Sequence, residues 1–161
     1  MKTTLIILLL MVVGVTLLLF VMGMVSRSGE SPGLLDGRLT RCPDRPNCVC
    51  SEYAEDSNHY VQPVQLPAGA QDWFTQLMRS VIEEMGGRVV VEQDGYLAAT
   101  FRSALFGFTD DLELRMDPQR QLLHIRSGSR VGYSDSGVNG RRVYQLKKRI
   151  EAKRLSAQVK D

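Results

Sequence analysis

The chain has 161 residues, 43% of them hydrophobic and 24% charged, with a formal net charge of +2. That length excludes an assembly of several domains, that composition excludes wholesale disorder, and that net charge by itself names no partner. Charge is unevenly spread, however: from Arg141 to Arg154 seven basic residues accompany one acidic residue, Glu151.

The first element is an apolar run. Leu5 to Val25 holds 21 positions without a charge. At about 1.5 Å per residue such a helix is roughly 31 Å long, the thickness of a bilayer's hydrocarbon core. A cleaved signal peptide would have a shorter apolar region and a small-x-small cleavage site. Here "GMVSRS" offers a poor site, and the first cysteine is Cys42, so there is no lipobox. Residues 1-26 are therefore expected to be an uncleaved signal-anchor, attached to the cell membrane in a single pass through residues 5-25. Lys2 on one side and Arg27, Arg38 and Arg41 on the other do not decide the orientation. Three cysteines crowded into a proline-containing loop fit an oxidising compartment. We therefore expect the C-terminal domain to be exported, periplasmic in a Gram-negative cell. Residues 27-33 read as a linker within the flexible stretch "SRSGESPG", residues 34-155 as the domain and 156-161 as a polar tail.

Pro43, Pro46, Pro63 and Pro67 mark an irregular segment. "GAQDWFTQLMRSVIEEMGG" reads as a helix: Trp73, Leu77, Val81 and Met85 recur every four residues beside Phe74, Met78 and Ile82. Asp72 suits its first turn or cap and Gly86–Gly87 its stop. Strands are expected at 88–93 and 96–102 around an Asp94–Gly95 hairpin turn, then at 111–117 and 121–127 around "PQR". Alternation puts Leu97, Ala99, Phe101, Leu112, Leu114, Met116, Leu123 and Ile125 on one face. Tyr96, Thr100, Arg102, Asp111, Glu113, Arg115, His124 and Arg126 occupy the other. A final helix over 139–155, with Asn139 as N-cap, carries the stripe Val143, Leu146 and Ile150. The expected fold class is α+β: an N-terminal transmembrane helix, then a small domain with a four-stranded antiparallel sheet flanked by two helices.

The three cysteines admit three chemistries. Cys42, Cys48, Cys50 and His59 would supply a zinc donor set, but their spacing is not a common structural-zinc pattern. Cys48 and Cys50 form a C-x-C pair suited to thiol exchange, yet no helix N-terminus lies nearby to activate a thiolate. A structural disulfide between Cys42 and Cys48 leads, with Pro43 and Pro46 stiffening the loop; it is worth roughly 2–2.5 kcal/mol by chain entropy. Cys50 is then free or an alternative partner for Cys42. No metal is assigned, and no cofactor motif is found.

"LLDGRLTRCPDRPNCVCS", "FGFTDDLELR" and "IRSGSRVGYSDSGVNGRRV" closely resemble the signature blocks of the DUF1499 family, over about Pro32 to Ile150. In that resemblance the CPxxPNC cysteines are Cys42 and Cys48, and Cys50 occupies a position often filled by serine. Relatives often carry an N-terminal export or membrane segment. The resemblance implies no activity.

"RSGSRVGYSDSGVN" concentrates polar groups between a strand and a helix start. A binding reading makes it a site for a carboxylate or phosphate, built from Arg126, Ser129, Arg130, Tyr133, Ser134, Asp135 and Asn139. A structural reading pairs Arg126 and Arg130 with Asp110, Asp111 or Glu113 across the hairpin and leaves the serines and Asn139 to turns and caps. An enzymatic reading uses Ser129 or Ser134 with His124 as base, although no nucleophile-elbow pattern surrounds them. Lys147, Lys148, Arg149, Lys153 and Arg154 face either water or anionic lipid headgroups. The leading expectation is a non-enzymatic binding or structural module of the envelope. It meets an anionic ligand or headgroup and, being exported, no nucleic acid; the alternatives are the serine hydrolase or transferase and the thiol redox protein.

Overall fold

The structure, a computed structural model, describes residues 1–67 and 71–158, without the side chains of 71–73 and 157–158. The expected parts played by Asp72 and Trp73, and residues 159–161 of the tail, lie outside that description.

Helix α1 (Lys2–Arg27) is long and apolar enough to cross a membrane, and its most apolar window buries nothing against the domain. The described residues then form a two-stranded ribbon, β1 (Leu34–Leu35) with β2 (Arg38–Leu39), and a six-stranded antiparallel sheet. The sheet holds β3 (Cys48–Cys50), β5 (Arg88–Gln93), β6 (Tyr96–Arg102), β7 (Thr109–Asp117) and β8 (Leu122–Ser129) in the order β3-β8-β7-β6-β5. Strand β4 (Val64–Gln65) pairs with the far end of β8. Helices α2 (Gln71–Glu84) and α3 (Val138–Gln158) lie together on one face.

The four strands expected from alternation are present, but the sheet is larger than four. Strands β3 and β4 hold three and two residues, too short to show a period inside a proline-rich stretch, and they exist because β8 offers them an edge.

One face of the sheet forms the core. Leu97, Ala99, Phe101, Leu112, Leu114, Met116, Leu123 and Ile125 meet Phe74, Met78, Val81 and Ile82 of α2 and Val143, Leu146 and Ile150 of α3. Helix α2 ends as the glycine pair predicts. Gly86, at φ 82°, donates to the Glu83 carbonyl, and Gly87 donates to that of Ile82, the paired bonds of a Schellman stop.

The opposite face is polar in sequence yet covered. Residues 26–40 fold back over it, and Leu39, Cys50, Tyr96 and Ala98 form a second small core there. Ser26–Gly33, flexible by composition, is pinned. Ser31 Oγ donates to Asp111 Oδ1 at 2.8 Å, and the Gly33 N–H donates to Glu113 Oε1 at 2.8 Å.

Candidate functional site

The polar stretch before α3 feeds two networks on opposite sides of the sheet. On the covered face Glu113, with no exposed surface, accepts hydrogen bonds from Arg126 Nη1 (2.8 Å), Tyr96 Oη (2.9 Å) and the Gly33 N–H (2.8 Å). Burial, with the Glu113 carboxylate next, pushes the Tyr96 phenol far above its usual range. Beside it Arg130 donates Nε and Nη2 to the two Asp111 oxygens at 2.8 and 2.7 Å, and Nη1 to the Gly29 carbonyl. That bidentate contact raises the Arg130 pKa further.

On the helix face Asn139 is a hub. Its Oδ1 accepts from Ser127 Oγ (2.6 Å) and from Arg142, while Nδ2 donates to Ser129 Oγ and to the Asn47 carbonyl, both at 3.0 Å. Arg142 reaches on to Asp110 Oδ2 at 2.7 Å. Asn139 is therefore not the N-cap of α3. Asp135 takes that work, accepting from the N–H groups of Gly137 (2.8 Å) and Asn139 (2.6 Å). Ser134 Oγ accepts only from the Ser136 N–H, at 3.3 Å. Tyr133 is 72% exposed and lines a separate cleft of about 350 Å³ with Asp44, Arg45, Asn58 and His59.

The sequence-predicted site is thus divided rather than gathered. Arg126 and Arg130, with Asp111 and Glu113, lie on the covered face. Ser129, Asn139 and Asp110 join the network beside α3, and Tyr133 faces the outer cleft. His124 meets neither proposed nucleophile. It stands five residues from Ser129 along β8, about 16 Å, with its side chain on the other face. Its Nδ1 lies 3.3 Å from Ser51 Oγ and 3.6 Å from Glu52 Oε2, while its buried Nε2 has no partner. Burial lowers the His124 pKa. Burial also works to raise that of Glu52, but the Arg115 Nε contact at 2.6 Å, His124 and the Leu39 N–H hold it below the ordinary value.

Cys42 and Cys48 form a disulfide with Cα atoms 5.6 Å apart. Cys50 is free and buried, and that burial pushes its thiol pKa up, away from the reactive thiolate. Among the described residues there is no cluster of three metal-ligating side chains, and His59 instead turns Nδ1 to Asp56 at 2.9 Å. Most of the basic side chains expected on the outer face of α3 lean on the domain, whereas Lys148 is exposed and lies over the Tyr144 ring of the same helix. Lys153 bonds Glu84 at 2.6 Å, Arg149 approaches it at 3.6 Å, Arg154 donates to the Gln65 carbonyl and Lys147 to that of Gln62.

A further concavity lies elsewhere, where α1 meets the sheet. It measures about 710 Å³, and Arg27, Arg88, Arg102 and Arg130 line it together with Glu30 and Thr109. Strand register assembles it: Arg88 pairs with Thr100 across β5–β6, and Arg102 with Thr109 across β6–β7. Among the described residues Arg27, Arg88 and Arg102 take part in no ion pair, unlike Arg130 with Asp111. Thr109 is 2% exposed, and its hydroxyl has no hydrogen-bond partner. Leu34, Val90, Val91 and Tyr96 give the cavity an apolar wall. Sequence reasoning placed Thr100 and Arg102 on the polar face but missed the cavity. Arg27 and Arg88 are brought to it by the fold-back of residues 26–40 and by strand register, which no local pattern announces.

These features define a class: an α+β domain on one antiparallel sheet, carried on an N-terminal apolar helix, with an arginine-lined cavity at their junction. The chain belongs to the family described as protein of unknown function (DUF1499), whose family model matches residues 38–150. No curated protein and no solved structure matches it.

Proposed function

We propose that this protein is a membrane-anchored, exported, non-enzymatic binding module that holds an anionic group in the cavity at the foot of α1. The reading keeps Arg130 from the site expected near α3 and replaces the other members with Arg27, Arg88, Arg102 and Thr109. The observation that carries it is the unneutralised charge. Three guanidinium groups line one cavity without an ion pair, against the single carboxylate of Glu30. Guanidinium groups favour phosphate and carboxylate oxygens. Four arginines beside an apolar wall favour binding of an anionic group. The length and apolarity of α1 support anchoring by residues 5-25, and the Cys42–Cys48 disulfide supports export.

A phosphate group has two sources here, a free anion or a lipid headgroup, and one titration separates them. Full-length protein in detergent is titrated with inorganic phosphate and, separately, with dihexanoyl phosphatidic acid below its micelle concentration. Saturable binding of either probe is expected, tighter for the lipid if the apolar wall takes part. Arg88 and Arg102 are exposed and unpaired, so an Arg88→Met/Arg102→Met variant keeps the fold. It should bind at least about tenfold more weakly, since each charge-assisted hydrogen bond is worth roughly 1.5–3 kcal/mol. Absence of saturable binding, or equal binding by the double variant, refutes the site.

A further inference from the structure

The loop between β6 and β7 is apolar and sits against the membrane helix. Ser103–Phe108 reads "SALFGF", without a charge, and Leu105 at its tip is 72% exposed. The loop does not hang free. Phe106 meets Phe20 of α1 edge to face with ring centroids 5.3 Å apart, and Phe108 stacks behind it at 6.1 Å. Gly23 makes this approach possible, because a Cβ there would overlap the Phe106 carbonyl oxygen. Just beyond, the Thr109 N–H donates to Ser26 Oγ at 2.6 Å.

Backbone polarity, the usual bar to an irregular loop at a membrane, is answered at the two ends of the loop, while the tip at Ala104 and Leu105 keeps its backbone groups for water and headgroups. The Ser103 N–H donates to the Phe108 carbonyl (2.9 Å), the Gly107 N–H to the Ser103 carbonyl (3.1 Å), and the Phe108 N–H to Ser103 Oγ (3.0 Å). Arg27 donates Nη2 to the Phe106 carbonyl and Nε to that of Gly107, each at 3.3 Å.

Depth follows from the helix. Phe20 precedes Val25, the last apolar residue of the span, by five positions, or about 7.5 Å along the axis. Interfacial apolar segments seat about 5–10 Å into the headgroup–acyl boundary. A loop packed at the level of Phe20 and Gly23 on a spanning helix therefore lies within that zone, with Leu105 turned away from the protein.

We propose that Ser103–Phe108 is a second membrane contact, inserting Leu105 and the edges of Phe106 and Phe108 into the leaflet that α1 leaves. This rests on reading α1 as membrane-spanning. The two contacts fix the tilt of the domain and place Arg27 and Arg102, at the foot of the loop, among the headgroups.

The test uses full-length protein in liposomes containing acyl-chain nitroxide lipids. A single NBD fluorophore is attached at Leu105→Cys, at Leu18→Cys on the exposed surface of α1, or at Tyr144→Cys on the exposed face of α3. Labelling is done without reductant and checked by mass, which keeps the disulfide closed and the buried Cys50 unlabelled. Quenching at position 105 comparable to that at 18, and several-fold above that at 144, is the expected result. Quenching at 18 but not at 105 overturns the second contact and leaves the anchor standing. A blue-shifted but unquenched probe at 105 means that protein covers the loop, which also overturns it. No quenching at 18 overturns the anchor reading and this one together.

Discussion

At the scale of single residues, buried charge decides most of what this fold tolerates. The Arg126 and Glu113 side chains are 7% and 0% exposed, and the two residues stand directly opposite in the β7–β8 register. Removing one partner strands the other in a site without water, a loss of about 3–5 kcal/mol, whereas replacing both with apolar groups is far milder. Arg126→Met should therefore destabilise the full chain by about that amount in urea unfolding, and Arg126→Met/Glu113→Leu should recover much of it. This pairing was legible, because hairpin strands with opposite charges on one face are expected to pair them. Arg130 with Asp111 follows the same logic on the diagonal. Asp110, expected on an arginine of the same hairpin, turns to Arg142 of α3, a partner that hairpin periodicity does not reach. His124 and Glu52 set the acid limit. Both pKa values are lowered in the folded chain, from ordinary values of 6.5 and 4.5. The unfolded chain thus binds protons first, so stability is complete above about pH 6.5 and falls as pH drops through the folded values. Thermal unfolding followed between pH 8 and 4 should show that decline, and His124→Gln should remove its upper part and leave a smaller Glu52 limb, which Arg115 and the Leu39 N–H still maintain.

At the scale of elements, length separates what periodicity predicts from what it does not. The 14-residue α2, the core stripe of α3 and the strands of six to nine residues each carry enough turns or alternations to be read. Strand β3 is three residues long and is held in place by its neighbours. Cys48 pairs with Gly128 and Cys50 with Arg126, and the disulfide ties the strand's start to the loop that precedes it. The fold-back of Ser26–Gly33 is illegible for a related reason. Its partners Asp111 and Glu113 lie 80 positions away, and a Ser-Gly-Pro composition says nothing about them. Opening the disulfide should expose how much β3 depends on it. For a seven-residue ring the chain-entropy gain is roughly 2–2.5 kcal/mol, so Cys42→Ser/Cys48→Ser should lose about that amount of stability and remain folded. A loss near zero would mean that pairing with β8 alone holds the edge.

At the scale of the whole molecule, the side of the membrane on which the proposed anchor would place the domain governs every reading of the cavity and the cysteines. Charge counting near α1 is inconclusive, and the fold explains part of why. Arg27 is engaged with the β6–β7 loop, while Arg38 and Arg41 both stack on Tyr53 and bond Glu52 and Glu55. These arginines serve the domain, so their number on that side is a poor guide to orientation. Redox state is a better one, because a disulfide persists in an oxidising compartment and is reduced in the cytosol. Membranes taken directly into denaturant with an alkylating reagent, so that the buried Cys50 becomes reachable, should yield protein with one modified thiol and, after reduction, three. Peptide mass mapping should place the protected pair at Cys42 and Cys48. Three modified thiols without reductant would put the domain in the reducing cytosol and sink the exported reading. The arginine cavity would then face the inner leaflet and cytosolic phosphates, so its ligand would be sought there.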